Sequence, residues 1–188
     1  MEIYDGTREI DYNGQTCVAI GKFDGVHLGH RKLIEEITHN KNGRKSLVFT
    51  FSYDSDFVYR DEDKLLGEAE RRQLFAKLGV DYLVEFKLDK QTAQLSADEF
   101  LSEILIKNCH AGEIVAGPDL SFGYKGLGNV DFVRSRTDRY GINLTVIDKL
   151  CYKGEAISSS RIRKAGKDGD NEAVRAMMSD DEQEVRVQ

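Results

Sequence analysis

The chain has 188 residues, of which 40% are hydrophobic and 32% charged, and its formal net charge at pH 7 is -6. This length suits one domain with a substantial core, and the acidic balance argues against nucleic acid as a partner, because domains that bind it usually present a basic face. No apolar run is long enough to cross a bilayer and residues 1–10 lack the segments of a secretory signal, so we expect a cytoplasmic protein without membrane contact.

Strands and helices are predicted to alternate along the chain. Short apolar runs rich in branched and aromatic residues predict five strands, at residues 16–21, 46–51, 81–86, 112–117 and 143–148. Apolar residues at helical spacing predict helices at residues 28–40, 68–79, 96–108, 130–140, 158–166 and 170–178, with a frayed end after them. The alternation predicts an α/β fold with a mostly parallel five-stranded sheet and helices on both faces.

The three cysteines, Cys17, Cys109 and Cys151, are far apart in the sequence and odd in number. They predict neither a disulfide framework nor a zinc site, so we expect reduced thiols in or near the core. His110 follows Cys109, but this pair has no two further ligands nearby in the sequence and is interpreted as structural.

The segment GKFDGVHLGH, residues 21–30, joins the first strand to the first helix, at the sheet edge where ligands bind in parallel α/β proteins. Free amides at the helix start suit an anion, and Gly25 and Gly29 allow a phosphate to approach the backbone. His27 and His30 are three residues apart and should project from one side of the first turn. Two imidazoles there could stabilise a phosphoryl group whose charge grows in a transition state. The segment is neither a Walker loop nor a Gly-x-Gly-x-x-Gly fingerprint.

Three stretches carry a family resemblance. IGKFDGVHLGH, residues 20–30, resembles the first signature of the nucleotidylyltransferase superfamily, and specifically of its FAD synthetase branch. VAGPDLSFGYKGLGN, residues 115–129, is similar to the Gly-x-Asp-Phe-x-Phe-Gly segment on the flavin side, and ISSSRIR, residues 157–163, is similar to the second nucleotide signature. The resemblance covers nearly the whole chain and implies a Rossmann-like nucleotidylyltransferase fold in a single domain, residues 1–188.

The resemblance also implies a reaction. Enzymes of this branch transfer AMP from ATP to FMN and release FAD and pyrophosphate, by in-line attack of the FMN phosphate on the α-phosphorus and with no covalent enzyme intermediate. Such an enzyme works by positioning and charge stabilisation. Magnesium (Mg2+) would arrive with ATP and bridge its phosphates, and no protein ligand for it is evident from the sequence. The implied partners are ATP, FMN and FAD.

Particular residues receive roles from the same resemblance. His27, His30 and Arg161 would be catalytic, with the histidines at the α- and β-phosphates and Arg161 on the far side of the triphosphate. Asp24 would order the turn or touch the nucleotide. The residues expected to bind ATP are Gly21, Lys22, Phe23, Asp24, Gly25, His27, Gly29, His30, Ser158, Ser159, Ser160 and Arg161. Those expected to bind the flavin are Asp119, Phe122, Gly123 and Asn129, with the Phe122 ring as a stacking surface.

The flavin half departs from the family's pattern in two places. FSYDSDF, residues 51–57, stands where the family commonly has Phe-x-Pro-His-Pro, and its Asp54 and Asp56 would repel a dianionic substrate unless a metal or a base intervenes. Leu120 and Ser121 replace the usual phenylalanine and arginine. Bifunctional relatives append a β-barrel riboflavin kinase, and nothing after Met178 could form it. The sequence is therefore either a stand-alone adenylyltransferase or part of a longer protein, and we expect the riboflavin kinase domain and its activity to be absent from it.

Two other functions remain open on the sequence. One is another nucleotidyl transfer, with a phosphorylated alcohol or pantetheine as acceptor and CTP as a conceivable donor. The other is a non-catalytic nucleotide- or flavin-binding protein that has kept the phosphate site.

Overall fold

The computed structural model describes residues 1–39, 42–55, 64–178 and 185–187. The strands are β1 Glu2–Tyr4, β2 Thr16–Ile20, β3 Lys45–Phe51, β4 Tyr82–Phe86, β5 Ala111–Ala116, β6 Asn143–Val146, β7 Leu150–Tyr152, β8 Glu155–Ala156 and β9 Val185–Val187. The helices are α1 Leu28–His39, α2 Glu68–Lys77, α3 Ala97–Glu99, α4 Val130–Arg134, α5 Thr137–Tyr140, α6 Ser159–Lys167 and α7 Asn171–Met178. A π-helix, Phe100–Asn108, continues α3, and two short 3-10 turns lie at Thr92–Gln94 and Tyr124–Gly126.

Six parallel strands form the main sheet, in the order β1-β4-β3-β2-β5-β6. The predicted parallel α/β architecture is confirmed, but the predicted number of five strands is wrong. The sixth strand is β1, which has only three residues, all at least partly exposed. A short edge strand of that kind carries no apolar run, so hydrophobic patterning does not reveal it.

After β4 the chain crosses back to the other side of β2, so the strand order of the main sheet reverses between β2 and its neighbour β5. Strands β2, β3 and β4 follow one another outward on one side, whereas β5 and β6 lie on the other side of β2. The carboxyl ends of β2 and β5 therefore flank the point at which the strand order reverses. In open α/β sheets this is the place where ligands bind.

Helices cover both faces of the sheet. Strand β2 is fully buried and alternates between two cores: Val18 and Ile20 pack in the core that contains Phe100 and Leu101, while Cys17 and Ala19 pack in the one that contains α1. This alternation is the period-two pattern of a strand buried on both faces. It fixes the end of β2, and hence residues 21–30, relative to both layers.

The helix predicted at residues 130–140 is two helices, α4 and α5. The Ser135 hydroxyl donates to the carbonyl oxygen of Phe132 at 2.7 Å, and the Thr137 hydroxyl donates to that of Arg134 at 3.0 Å. Such local side-chain bonds compete with helical backbone bonds, which explains the break. The helices predicted at 158–166 and 170–178 are confirmed as α6 and α7.

A second sheet, in the order β8-β7-β9, was not predicted. Strands β7 and β8 form a hairpin whose turn residues, Lys153 and Gly154, have φ of 51° and 81°, as a tight two-residue hairpin requires. Residues 185–187 pair with β7, so the expected fraying is wrong there, while residues 179–184 and 188 lie outside the described residues.

The three cysteines are buried and free, as expected. Burial raises the pKa of the Cys17 and Cys109 thiols to about 12, which leaves both protonated and unreactive. Over the part of the chain that the structure describes, no helix is long and apolar enough to cross a membrane.

Candidate nucleotide-binding site

A cleft of about 670 Å³ opens at the carboxyl edge of the main sheet. It lies where the strand order reverses between β2 and β5, and most of its walls come from the segments that follow β2, β5 and β6 and from the start of α6. The lining residues are Ile20, Gly21, Lys22, Asp24, His27, Gly29, His30, Leu33, Phe51, Gly117, Asp119, Leu120, Ser121, Ile147, Asp148, Lys149, Leu150, Ile157, Ser158, Ser159, Ser160 and Arg163.

His27 and His30 meet at the floor of this cleft. Their rings stack with centroids 3.7 Å apart and planes at 15°. His27 is also the N-cap of α1, because its Nδ1 accepts a hydrogen bond from the backbone N–H of His30 at 3.3 Å. One amide of the first helical turn is thus already occupied by a side chain. The backbone amides of Leu28 and Gly29 therefore remain available to bind an anion at the site that the sequence predicts.

Both imidazoles are neutral at pH 7. Burial lowers the pKa of His27 to about 4, although the charge of Asp24 opposes the shift. Burial also holds the pKa of His30 well below its usual range, and the adjacent His27 lowers it further. The pair therefore acts on an anion through N–H dipoles rather than through a positive charge.

The hydrogen-bond pattern indicates which ring atoms face the ligand. Because Nδ1 of His27 accepts a hydrogen bond, the proton of the neutral ring belongs on Nε2. Nδ1 of His30 is buried and has no hydrogen-bond partner among the described residues, so a proton on Nε2 avoids an unpaired buried N–H in this ring, which also lines the cleft. This arrangement favours the tautomer with the proton on Nε2 in both rings, which provides two N–H donors at the cleft.

The turn that presents the histidines is strained. Phe23 and Val26 have φ of 49° and 43°, and Gly25 has φ of 83°. A positive φ is rare for a bulky side chain and rarer for a β-branched one, and such strain persists only where the surroundings hold it and is concentrated at functional sites. At Gly25 a Cβ would also lie 2.7 Å from Cδ1 of Leu65, so this position requires glycine.

Phe23 is part of what holds the turn. Its ring is fully buried, with its centroid 5.7 Å from that of Phe75 in an edge-on contact and 5.1 Å from that of His30. The Phe23 side chain, predicted to bind ATP, thus packs in the core beneath the histidine pair instead of lining the cleft.

Asp24 connects three segments of the chain. Its Oδ1 accepts from the backbone N–H of Leu65 at 3.0 Å, its Oδ2 is ion-paired with Arg163, and its carbonyl oxygen accepts from the Ser159 hydroxyl at 2.8 Å. Both carboxylate oxygens are thus engaged by the protein. This arrangement matches the turn-ordering alternative predicted for Asp24, and it fixes the histidine turn against α6.

The second signature borders the same cleft as the histidines. Ser158 caps α6 by accepting from the backbone N–H of Arg161 at 3.3 Å, and Ser158, Ser159 and Ser160 line the cleft together with Arg163. The Arg161 side chain, predicted to be catalytic, is not among the lining residues. Its guanidinium bonds to the carbonyl oxygen and pairs with the carboxylate of Glu155.

Arg163 is a cleft residue that the sequence interpretation missed. It is four residues after Ser159 and three after Ser160, so on a helix it shares their face, whereas Arg161 does not. The signal was therefore present in the spacing of the motif. The same reasoning could not have shown that Arg163 is ion-paired with Asp24.

The loop after β5 contains the residues predicted to bind the flavin, and only one of them, Asp119, lines the cleft. Phe122 is buried in the core, with its ring centroid 5.3 Å from that of Phe100. Gly123 has φ of 70°, and a Cβ there would lie 2.7 Å from Cα of Ala97. Asn129 caps α4 by accepting from the Phe132 N–H at 2.9 Å. Phe122, Gly123 and Asn129 thus build the loop, which brings Asp119, Leu120 and Ser121 to the cleft.

The segment that departs from the family's pattern is neutralised locally. The carboxylate of Asp54 is 2.8 Å from the Lys87 ammonium and also bonds to the Ser52 hydroxyl, and these contacts lower the pKa of Asp54. The repulsion expected from Asp54 is therefore reduced, while Asp56 and residue 57 lie outside the described residues. Phe51, at the end of β3, lines the cleft.

Beside this segment, Tyr53 lies against a buried ion pair. The Arg71 guanidinium is 4.0 Å from the centre of the Tyr53 ring, is fully buried, and is 3.0 Å from Oε1 of Glu85. The Tyr53 hydroxyl donates to the carbonyl oxygen of Leu66 at 3.0 Å. These contacts fix residues 51–55 without the prolines that the family's pattern has.

The positive and negative charges of the side chains that line the cleft are equal in number. Three are basic, Lys22, Lys149 and Arg163, and three are acidic, Asp24, Asp119 and Asp148. Within the described ranges, no group of three or more histidine, cysteine or acidic side chains could hold a metal ion. These side chains therefore carry no net positive charge with which to attract a polyanionic ligand.

The chain resembles known proteins over most of its length. A sequence model of the family described as FAD synthetase matches residues 9–161. Three curated relatives are each named bifunctional riboflavin kinase/FMN adenylyltransferase. The one from Listeria monocytogenes is 32% identical and is matched over 86% of this chain and 52% of its own. The Buchnera aphidicola protein is 31% identical, over 88% and 55%, and the Escherichia coli K12 protein is 30% identical, over 79% and 50%. The chain thus spans about half the length of the curated relatives it matches.

Solved structures share the fold. A Streptococcus pneumoniae protein described as a macrolide-efflux protein superimposes with a TM-score of 0.77 at 27% identity, covering 95% of this chain and 60% of that one. A pantoate-beta-alanine ligase from Francisella tularensis superimposes with a TM-score of 0.58 at 14% identity, covering 96% and 80%. At that identity the ligase supports the fold alone.

Proposed function

The chain belongs to the FAD synthetase family, and on that premise we propose that it transfers AMP from ATP to FMN and releases FAD and pyrophosphate. The observation that carries the proposal is that the two nucleotide signatures line one cleft. The stacked imidazoles of His27 and His30 form its floor, and the serines at the start of α6, with Arg163, form a wall.

In this reaction an oxygen of the FMN phosphate attacks the α-phosphorus of ATP, and the bond from that phosphorus to the bridging oxygen of pyrophosphate breaks. The FMN phosphate is already ionised, so no residue has to remove a proton from it. The Nε2–H groups of His27 and His30 donate to phosphate oxygens on which negative charge grows. Ser159, Ser160 and Arg163 hold the far end of the triphosphate, so that the leaving group stays aligned with the attacking oxygen.

The nucleotide substrate is proposed to be the magnesium complex of ATP. A divalent cation bound with ATP would neutralise phosphate charge that the cleft's balanced side chains leave uncompensated. We propose that the phosphates supply most of its ligands, since the described residues contain no preformed metal cluster.

Arg163 replaces Arg161 in this proposal because of its position. Arg163 lines the cleft, and substrate phosphates can compete with Asp24 for its guanidinium. Phe51, whose ring lines the cleft, is proposed to contact the flavin in place of Phe122.

A second candidate is nucleotidyl transfer to another phosphorylated acceptor. The observation that favours it is the loop after β5, where three of the four residues predicted to bind the flavin serve the packing of the loop. This candidate keeps the histidine pair and its chemistry and changes only the acceptor.

One experiment separates the candidates. The purified chain is incubated with ATP, magnesium and FMN, and the products are resolved by chromatography. We expect FAD and pyrophosphate in equal amounts. Pyrophosphate formed only with another phosphorylated acceptor would support the second candidate, and nucleotide binding without turnover under all these conditions would contradict both.

Three further points are proposed. Residues 1–188 constitute a single nucleotidylyltransferase domain without riboflavin kinase activity, and ATP-dependent phosphorylation of riboflavin by this chain would contradict that. The location is cytoplasmic, since all three thiols are buried and free. Nucleic acid is not a partner, in keeping with the net charge of -6.

A further inference from the structure

Lys149 is a basic residue of the cleft that belongs to none of the three sequence motifs. It lies between β6 and β7, at the carboxyl edge of the main sheet, and it lines the cleft with Asp148 and Leu150. The carbonyl oxygen of Leu150 accepts from the backbone N–H of Ile157 at 2.8 Å. Since Ile157 directly precedes the serines of α6, Lys149 is on the wall of the cleft that carries those serines.

The ammonium of Lys149 is 2.9 Å from Oδ2 of Asp119. The Lys149 side chain is 39% exposed and that of Asp119 is 69% exposed. Ion pairs this accessible to water contribute little to folding stability. A phosphate group could therefore displace the carboxylate from the lysine without disturbing the fold.

This pair is near the histidines. The negative charge of Asp119 raises the pKa of His27, against the effect of burial, so the Asp119 carboxylate is within electrostatic range of that ring. Without Lys149, Asp119 would lose this ion pair and present its negative charge to an incoming polyanion.

We propose that Lys149 binds a β- or γ-phosphate oxygen of the nucleotide, and that Asp119 holds its ammonium in place until the nucleotide arrives. The flexible stem and three N–H donors of lysine suit it to phosphate as a mobile point charge. The donor nucleotide, rather than the acceptor, is its ligand, because Lys149 shares its wall with the α6 serines. Phe51, which we propose to contact the acceptor, is the last residue of β3, on the other side of β2. This inference rests on the proposed function for the identity of the nucleotide.

The test compares the binding of ATP and of AMP to the full chain by calorimetry, with magnesium and without FMN. Loss of one charge-assisted contact should raise the Kd for ATP about tenfold in Lys149→Met. The Kd for AMP should stay within twofold of the wild-type value, because AMP has neither a β- nor a γ-phosphate. Lys149→Arg should restore most of the affinity for ATP. Lys107→Met, which removes a lysine of the π-helix paired with Glu103, is the matched control and should bind ATP like the wild type.

A double variant separates direct binding from charge balance. If Lys149 contacts the phosphates, Asp119→Asn combined with Lys149→Met should recover only part of the affinity for ATP that Lys149→Met loses, because the repulsion from Asp119 is removed while the phosphate contact is still missing. Recovery of wild-type affinity in the double variant would overturn the proposal, since Lys149 would then act only by neutralising Asp119. Equal weakening of ATP and AMP, or no weakening of ATP, would overturn it as well.

Kinetics with FMN complete the test. Lys149→Met should raise the KM for ATP and leave the KM for FMN unchanged, and a rise in the KM for FMN instead would contradict assignment to the donor. If the wild type forms no FAD, the proposed function fails, but the comparison of ATP with AMP still decides the role of Lys149.

Discussion

The histidine turn, residues 21–30, and the loop after β5, residues 117–129, border the same cleft but use their signature residues differently. In the turn, a strained backbone brings two imidazoles into ring contact and directs both at the cleft. In the loop, Phe122 and Gly123 face the core and the start of α3, and the cleft receives their neighbours Asp119 to Ser121. A family signature therefore marks residues that build a site as well as residues that touch its ligand, and only the packing distinguishes the two.

The largest expected effect tests the structural role assigned to Phe122. Phe122→Ala should lower the free energy of unfolding by about 3–5 kcal/mol, because it empties a position among Phe100 and Phe132. The KM for FMN should remain that of the wild type when measured well below the melting temperature of the variant. A large rise in this KM without loss of stability, with both followed on one preparation, would place Phe122 at the flavin after all.

In the histidine turn, a substitution should reduce activity and leave the protein folded. His30→Ala should reduce kcat for FAD formation by about a hundred- to a thousandfold, the usual cost of removing one donor to a developing charge. Its circular dichroism spectrum should be that of a folded protein. His39→Ala, at the exposed end of the same helix, is the control and should keep full activity. Comparable activity in the two variants would remove His30 from the mechanism.

Two arginines on α6 provide a matched pair. Arg163→Ala should lower kcat/KM for ATP by about ten- to a hundredfold, as the loss of a charged hydrogen bond would. Arg161→Ala should change it less than threefold, since that side chain is bound to Glu155 outside the cleft. The reverse order of effects would show that Arg161 turns toward the nucleotide when it binds.

The neutral state of the histidines predicts a pH dependence of stability. His27 has a folded-state pKa of about 4, below its unfolded value, so the unfolded chain binds more protons once the pH falls below about 6.5. The contribution of neutral His27 to the free energy of unfolding is therefore present above that pH. This free energy should fall by about 2 kcal/mol between pH 6.5 and 4.5.

Denaturant unfolding across that pH range measures this loss. His27→Asn, which keeps a side-chain cap for α1, should show a shallower decline in the free energy of unfolding than the wild type. Identical slopes would mean that the pKa of His27 is not lowered in the folded protein.

The sequence predicted the features that depend on local pattern. The five long strands, the helices that cover them and the glycines of the histidine turn follow from hydrophobic spacing and backbone freedom. The meeting of His27 and His30 also follows, because their spacing places both on the first turn of a helix. Arg163 could have been identified by the same spacing.

Features that depend on contacts between distant segments could not be predicted. The edge strand β1 pairs with β4, nearly 80 residues later, so its assignment needs the partner. The Phe122 ring could face either core or ligand until the position of Phe100 was known. The pairing of Lys149 with Asp119 joins loops that follow two different strands, and the sequence contains no pattern that links them.

Nuclear magnetic resonance of the imidazole nitrogens tests the central claim most directly. With the chain at pH 7, both histidines should give the nitrogen shifts of neutral rings protonated on Nε2. Addition of magnesium and a non-hydrolysable ATP analogue should shift the Nε2 signals of His27 and His30 together, because both donate to phosphate oxygens. If the analogue binds, as the backbone amide signals of α6 would report, while both imidazole signals stay unchanged, the histidine pair does not hold the nucleotide.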